Sequence, residues 1–180
     1  MGNHKNGNQN IVIGVETGNF TKSGVSRSNR SHPVPKRAVH APRAINEAYD
    51  YHPQPSSFSR ALRVNLKDII MIFISGTASV DEVGQSIHTG DFKAQTRRCF
   101  LNIKALLESE GLSWHDVVKT TCYLRDIERD YAEFNEVRTE FYKKEGLDPL
   151  PASVGIQAAI CRSNLLVEIE ALAIVEVDSK

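Results

Sequence analysis

Residues Leu165 to Val177 read LLVEIEALAIVEV, and every odd position in that stretch is apolar. An unbroken period of two makes this segment a strand with one face on a core, because successive side chains of an extended chain point to opposite sides. The other face carries Glu168 and Glu170, about 7 Å apart along the strand. Leu166 and Leu172 flank them on that same face. Carboxylates in mid-strand between leucines point to a subunit interface or a pocket, with a solvated sheet face as the alternative.

The remaining periodicities supply what covers the strand. Ser59 to Asn65 alternates, and Ile69 to Ser75 is an apolar run of strand length. Asp91 caps a predicted helix that ends at Gly111 and carries Cys99, Ile103, Leu106 and Leu107 on one face. Val117 to Leu124 is β-branched and strand-like. Asp130, with Glu133 three residues on, marks a second helix start, and Gly146 its end. Phe134, Val137 and Phe141 form its buried stripe. Ser153 to Ile160 and Leu165 to Val177 read as a hairpin turning through Arg162-Ser163-Asn164. Two amphipathic helices beside these strands predict an α+β fold of two layers, a mixed sheet with both helices on one face.

Charge divides the chain. Its 22 basic and 22 acidic side chains cancel, yet residues 1–44 hold seven Lys/Arg against one acid and the rest is acidic. The basic segment is rich in Gly, Asn and Ser, and His52-Pro53-Gln54-Pro55 follows as an extended connector. We therefore expect residues 1–55 to be an N-terminal extension and 56–180 the folded domain. The extension lacks the Arg/aromatic interleaving of a nucleic-acid arm, so RNA association is the weakest functional reading. No apolar run approaches the ~20 residues of a membrane span, and no signal-peptide pattern opens the chain. Cys99, Cys122 and Cys161 lack CxxC spacing and read as three buried thiols of a cytoplasmic protein. The six His residues show no ligand pairing, so no metal site is expected.

Several short motifs stand in register along the chain: Ile74-Ser75-Gly76-Thr77, Gly90-Asp91, Ala94-Gln95-Thr96, Asn102-Ile103, Asp116 to Thr121, Tyr123-Leu124-Arg125-Asp126, Asn135, Pro151-Ala152 and Glu168-Ile169-Glu170-Ala171. In this order and spacing the chain resembles the RidA/YjgF family of enamine/imine deaminases, over about Ser56 to Val177. The resemblance implies a chorismate-mutase-like fold and a homotrimer with its ligand sites in clefts between subunits. It also implies hydrolysis of a small enamine or imine to a ketone and ammonia, without metal or cofactor. The water-positioning glutamate of the family falls on Glu168, the substrate-shaping turn on Ser75-Gly76, and the helix asparagine on Asn135.

At two positions the chain departs from the family. The family tyrosine falls on Phe58, which has no hydroxyl. The substrate-clamping arginine after Pro-Ala falls on Ser153, and ungapped counting back from Glu168 gives the same assignment. Losing a bidentate guanidinium removes about 1.5–3 kcal/mol of charge-assisted hydrogen bonding. Arg60, two residues from Phe58, is the substitute considered first, although such a side chain commonly reaches out to solvent. Arg162 is expected at a hairpin tip, out of reach. The sequence thus supports a hydrolytic deaminase with altered substrate recognition, or a trimer that binds a small metabolite without deaminating it.

Overall fold

The computed structural model describes residues 33–51 and 55–177. Most of the basic segment therefore lies outside the described residues, as does His52-Pro53-Gln54.

Six strands form one sheet: β1 (Lys36–Val39), β2 (Ala61–Leu66), β3 (Ile69–Ala78), β4 (Val117–Leu124), β5 (Ala152–Gln157) and β6 (Val167–Glu176). Their order is β1-β2-β3-β6-β4-β5, antiparallel throughout except for the parallel pair β4 and β5. Helices α1 (Phe92–Glu108) and α2 (Ile127–Glu145) pack on one face of the sheet. This is the two-layer α+β architecture with a mixed sheet that the periodicities predict. The strand with the strongest alternation, β6, lies at the centre between β3 and β4, where only a strand with one fully apolar face fits.

The core lies between helices and sheet. Val167, Ile169, Ala171 and Ala173 of β6 are buried, with Ile72 of β3, Cys99, Ile103 and Leu106 of α1, and Phe134 and Val137 of α2. Phe100 stacks on Phe141 at 4.9 Å between ring centroids and meets Trp114 edge-on at 5.5 Å, geometries that add to the burial of large rings.

Three expectations are corrected. First, β5 and β6 are not a hairpin: β4 lies between them, and β5 runs parallel to β4. The chain leaving β5 crosses the end of β4, where Arg125 gathers it. The Arg125 Nε donates to Leu165 O at 2.7 Å, and its Nη2 donates to Ile160 O at 3.1 Å and Arg162 O at 2.6 Å. Second, the helix cap is Asp126 rather than Asp130; the Asp126 carboxylate accepts from Arg129 N, while Asp130 sits inside the first turn and pairs with the Arg129 guanidinium. Third, the compact unit runs from Pro33, not from residue 56. Strand β1 pairs with β2, Val39, Ile45 and Ala48 are buried, and Glu110 binds both Arg37 of β1 and Arg63 of β2. The local basic, polar composition obscures this because the few apolar residues of 36–48 find their partners more than a dozen positions away.

Among the described residues no helix is long and apolar enough to cross a membrane. The helix-free face of the sheet carries Phe73, Val154 and Ile156, exposed at 45, 44 and 41 %.

Candidate functional site

Glu168 stands opposite Ala78 of β3 and Tyr123 of β4. The β3–β6 register breaks between Ile74 and Thr77, and this irregularity brings Gly76 against the Glu168 side chain. A Cβ at Gly76 would overlap the Glu168 carboxylate, so the glycine provides the seat for the acid. Burial pushes the Glu168 carboxyl above the ordinary glutamate range, an effect that Arg60 opposes and Glu170 reinforces.

The carboxylate faces a cavity of about 670 Å³ shared with Tyr51, Phe58, Arg60, Gly76 and Arg162. Arg60 does not reach solvent as expected; it is 5 % exposed. Its Nε donates to Asn46 O at 3.0 Å and its main-chain N–H to Glu47 Oε2 at 3.1 Å. The guanidinium carbon lies 4.9 Å from the Tyr51 ring centroid and 5.2 Å from that of Phe58. Burial lowers its pKa to about 10, which leaves it a cation at neutral pH. Two aromatic faces and the nearby Glu168 charge favour that cation in place.

Arg162 is the largest correction at the site. Far from standing at a hairpin tip, it lines the cavity, because the Arg125-held crossing carries it back over the sheet. Its Nη1 donates to Gly84 O at 2.7 Å and Ser86 Oγ at 3.1 Å, and its guanidinium carbon lies 5.5 Å from the Tyr51 centroid. Helix α1 braces the same loops: Gln95 donates to Asn164 O and accepts from Leu166 N, each at 2.8 Å, while Asn102 donates to Ala78 O and Val80 O. These α1 motif residues shape the cavity without lining it. Cys161 also opens on the cavity and is exposed, unlike Cys99 and Cys122.

Of the residues singled out by sequence, Phe58, Arg60, Gly76 and Glu168 come together here. Ser75 points elsewhere: its hydroxyl donates to Ser59 O at 2.8 Å, and it lines an adjoining cavity with Glu170, whose carboxylate accepts from Tyr123 OH at 3.0 Å. Asn135 and Ser153 lie at the β5 edge. There the Ser153 hydroxyl accepts from Thr120 Oγ1 at 3.0 Å and Arg138 Nη1 at 3.1 Å, and the other arm of Arg138 donates to Asn135 Oδ1. Sequence reasoning missed Tyr51 and Arg162. Tyr51 falls within the expected extension, and Arg162 becomes visible only once β4 is known to separate β5 from β6. Among the described residues no group of three or more His, Cys, Asp or Glu side chains could hold a metal ion.

The family model described as Endoribonuclease L-PSP matches residues 52–175. The chain belongs to the RidA/YjgF family. It is 38 % identical over 122 residues to a RutC family protein of Pyrococcus abyssi, covering 67 % of this chain and 89 % of the relative. A 2-iminobutanoate/2-iminopropanoate deaminase of Dermatophagoides farinae is 29 % identical over 143 residues, 79 % of this chain and 98 % of that one. The crystal structure of RidA from a Psychrobacter species superposes with a TM-score of 0.60 at 28 % identity, covering 77 % of this chain and 99 % of that one.

Proposed function

We propose that this RidA/YjgF protein is a hydrolytic deaminase that converts a small 2-imino acid, or its enamine tautomer, to the 2-keto acid and ammonia. The observation that carries the reading is a desolvated carboxyl, Glu168, sharing one cavity with the buried cation of Arg60. The named activity of the Dermatophagoides relative supports it.

In this reading Arg60 holds the substrate carboxylate in place of the arginine that Ser153 replaces, and Phe58 packs on the substrate's apolar side. Ionised Glu168 accepts a proton from water as the oxygen attacks the C=N carbon. The protonated carboxyl then delivers that proton to nitrogen. Glu168 then takes the hydroxyl proton and passes it to the nitrogen as the C–N bond of the tetrahedral intermediate breaks, so that ammonia leaves and the ketone remains. A carboxyl whose pKa burial raises above its ordinary value suits both transfers. Gly76 contributes the room, and Ser75 acts indirectly by holding the segment that enters β2, through its hydrogen bond to Ser59 O.

The test follows imine disappearance and ammonia release when an amino-acid oxidase supplies the imine of alanine. Acceleration over spontaneous hydrolysis that Glu168→Gln removes is the expected result. No acceleration, with keto acids still binding, would leave the metabolite-binding alternative that the Ser153 and Phe58 departures favour.

The same reading includes a homotrimer. Phe73, Val154 and Ile156 belong to an apolar sheet face that a second copy of the chain would cover. Light scattering should give three times the chain mass, and a stable monomer at micromolar concentration would remove this element.

A further inference from the structure

The unspent hydrogen-bond donors of the two cavity arginines narrow the substrate class. A guanidinium carries five N–H donors arranged as forks that match carboxylates. Arg60 commits only Nε, to Asn46 O, so both Nη groups, at a residue 5 % exposed, have no hydrogen-bond partner among the described residues. Glu47 and Glu168 stabilise its charge without hydrogen-bonding its Nη groups: Glu47 accepts from the Arg60 main-chain N–H and stands 3.2 Å from His40 Nδ1. Arg162 commits only Nη1, to Gly84 O and Ser86 Oγ, which leaves its Nε/Nη2 edge open. The Tyr51 hydroxyl, in the same cavity, is buried and likewise without a partner among the described residues. A buried hydroxyl left open, as at Tyr51, is costly unless a ligand takes it, and the open guanidinium edges of Arg60 and of the half-buried Arg162 border the same cavity.

Each arginine is locked by a backbone carbonyl and presents one unused edge. Both guanidinium carbons lie over one ring, 4.9 and 5.5 Å from the Tyr51 centroid, so the two cations are within about 10 Å of each other. A separation up to that limit leaves room for two carboxylates joined by a short carbon chain, each taken by its own fork.

Resting on the deaminase reading above, we propose that the substrate is a dicarboxylic 2-imino acid, with its α-carboxylate on Arg60, its distal carboxylate on Arg162, and a hydrogen bond from the Tyr51 hydroxyl. A single carboxylate shared between the arginines is the competing arrangement, and the two predict different things.

The full-length protein is assayed with imines made in place from alanine, aspartate and glutamate. Binding of the corresponding keto acids, pyruvate, oxaloacetate and 2-oxoglutarate, is measured by calorimetry. We expect kcat/KM and affinity to favour a diacid over the monoacid by about 10- to 100-fold, the scale of one charge-assisted hydrogen-bonded pair. Arg162→Gln should collapse the diacid-to-monoacid ratio toward one, and Arg162→Lys, which keeps charge but not the fork, should give an intermediate ratio. Tyr51→Phe should weaken keto-acid binding without altering the ratio's dependence on Arg162. Equal handling of diacids and monoacid, or a ratio that Arg162→Gln leaves unchanged, overturns the proposal. If no imine is hydrolysed yet diacids bind with an Arg162-dependent preference, the deaminase reading fails and the dicarboxylate site stands. If imines are hydrolysed without preference, the dicarboxylate site fails and the deaminase reading stands.

Discussion

The cavity at Glu168 and the β5 edge at Ser153 each hold a guanidinium beside an aromatic ring, but they use it differently. At the edge, Arg138 lies 5.1 Å from the Phe134 centroid and gives both arms to side chains, Ser153 and Asn135. In the cavity, Arg60 and Arg162 are each pinned at one corner and keep a fork unspent. The first pattern satisfies a fold; the second, in the reading proposed above, is open to an anion. Counting spent and unspent donors therefore separates a bracing arginine from a binding one where proximity alone would not.

The comparison breaks most visibly through Glu168. Glu168→Gln should lower kcat for imine hydrolysis by about 10²- to 10⁴-fold, the range for a positioned acid/base group, while keto-acid binding persists. Steady-state kinetics with calorimetry checks both, and undiminished turnover would move the chemistry out of this cavity. Next in size, Arg60→Gln should cost about 10- to 100-fold in kcat/KM, whereas Arg138→Gln should change kcat/KM by less than about threefold. Equal losses would erase the distinction between the two regions.

A third test sharpens it from the side of stability. Removing residues 1–50 strips β1, the buried Val39, Ile45 and Ala48, and the Arg37–Glu110 pair. It should lower the midpoint by more than about 10 °C, since three buried apolar side chains exceed about 3 kcal/mol in a domain of this size. The smallest effect is a pH shift. Burial holds Glu168 above the ordinary glutamate value, and Arg60 pulls it back. As the base must be ionised, the acid limb of kcat/KM should lie above pH 4.5. Because Arg60→Gln removes the lowering charge, that limb should move to higher pH. A move to lower pH would mean that the limb belongs to another group.

Local patterns revealed the frame of this molecule. The alternation in β6, the Asp91 cap and the stripe Phe134-Val137-Phe141 are properties of a few adjacent residues, and each matches its structural element; the apolar run of β3 is a strand, but one buried on a single face, with Phe73 exposed. Glu168 was legible from the strand it sits on, whereas Gly76 and Arg60 entered through the family resemblance. What stayed hidden depends on contacts between distant segments. A turn-like Arg162-Ser163-Asn164 between two strands suggests a hairpin, and only the insertion of β4 between β5 and β6 shows where Arg162 goes. Tyr51 lies in a stretch with little apolar pattern, and its ring is placed by Gly84, Arg60 and Arg162 rather than by its neighbours.

The Arg125 side chain holds three carbonyls of the loop that carries Arg162, whereas Glu168 is fixed by strand pairing on both sides. Under the roles proposed above, selectivity and chemistry hang from different supports. Substitutions along 158–166 should alter which acids are accepted while the Glu168 carboxyl stays in register, so that a lineage carrying this fold could shift its diet without rebuilding its catalyst.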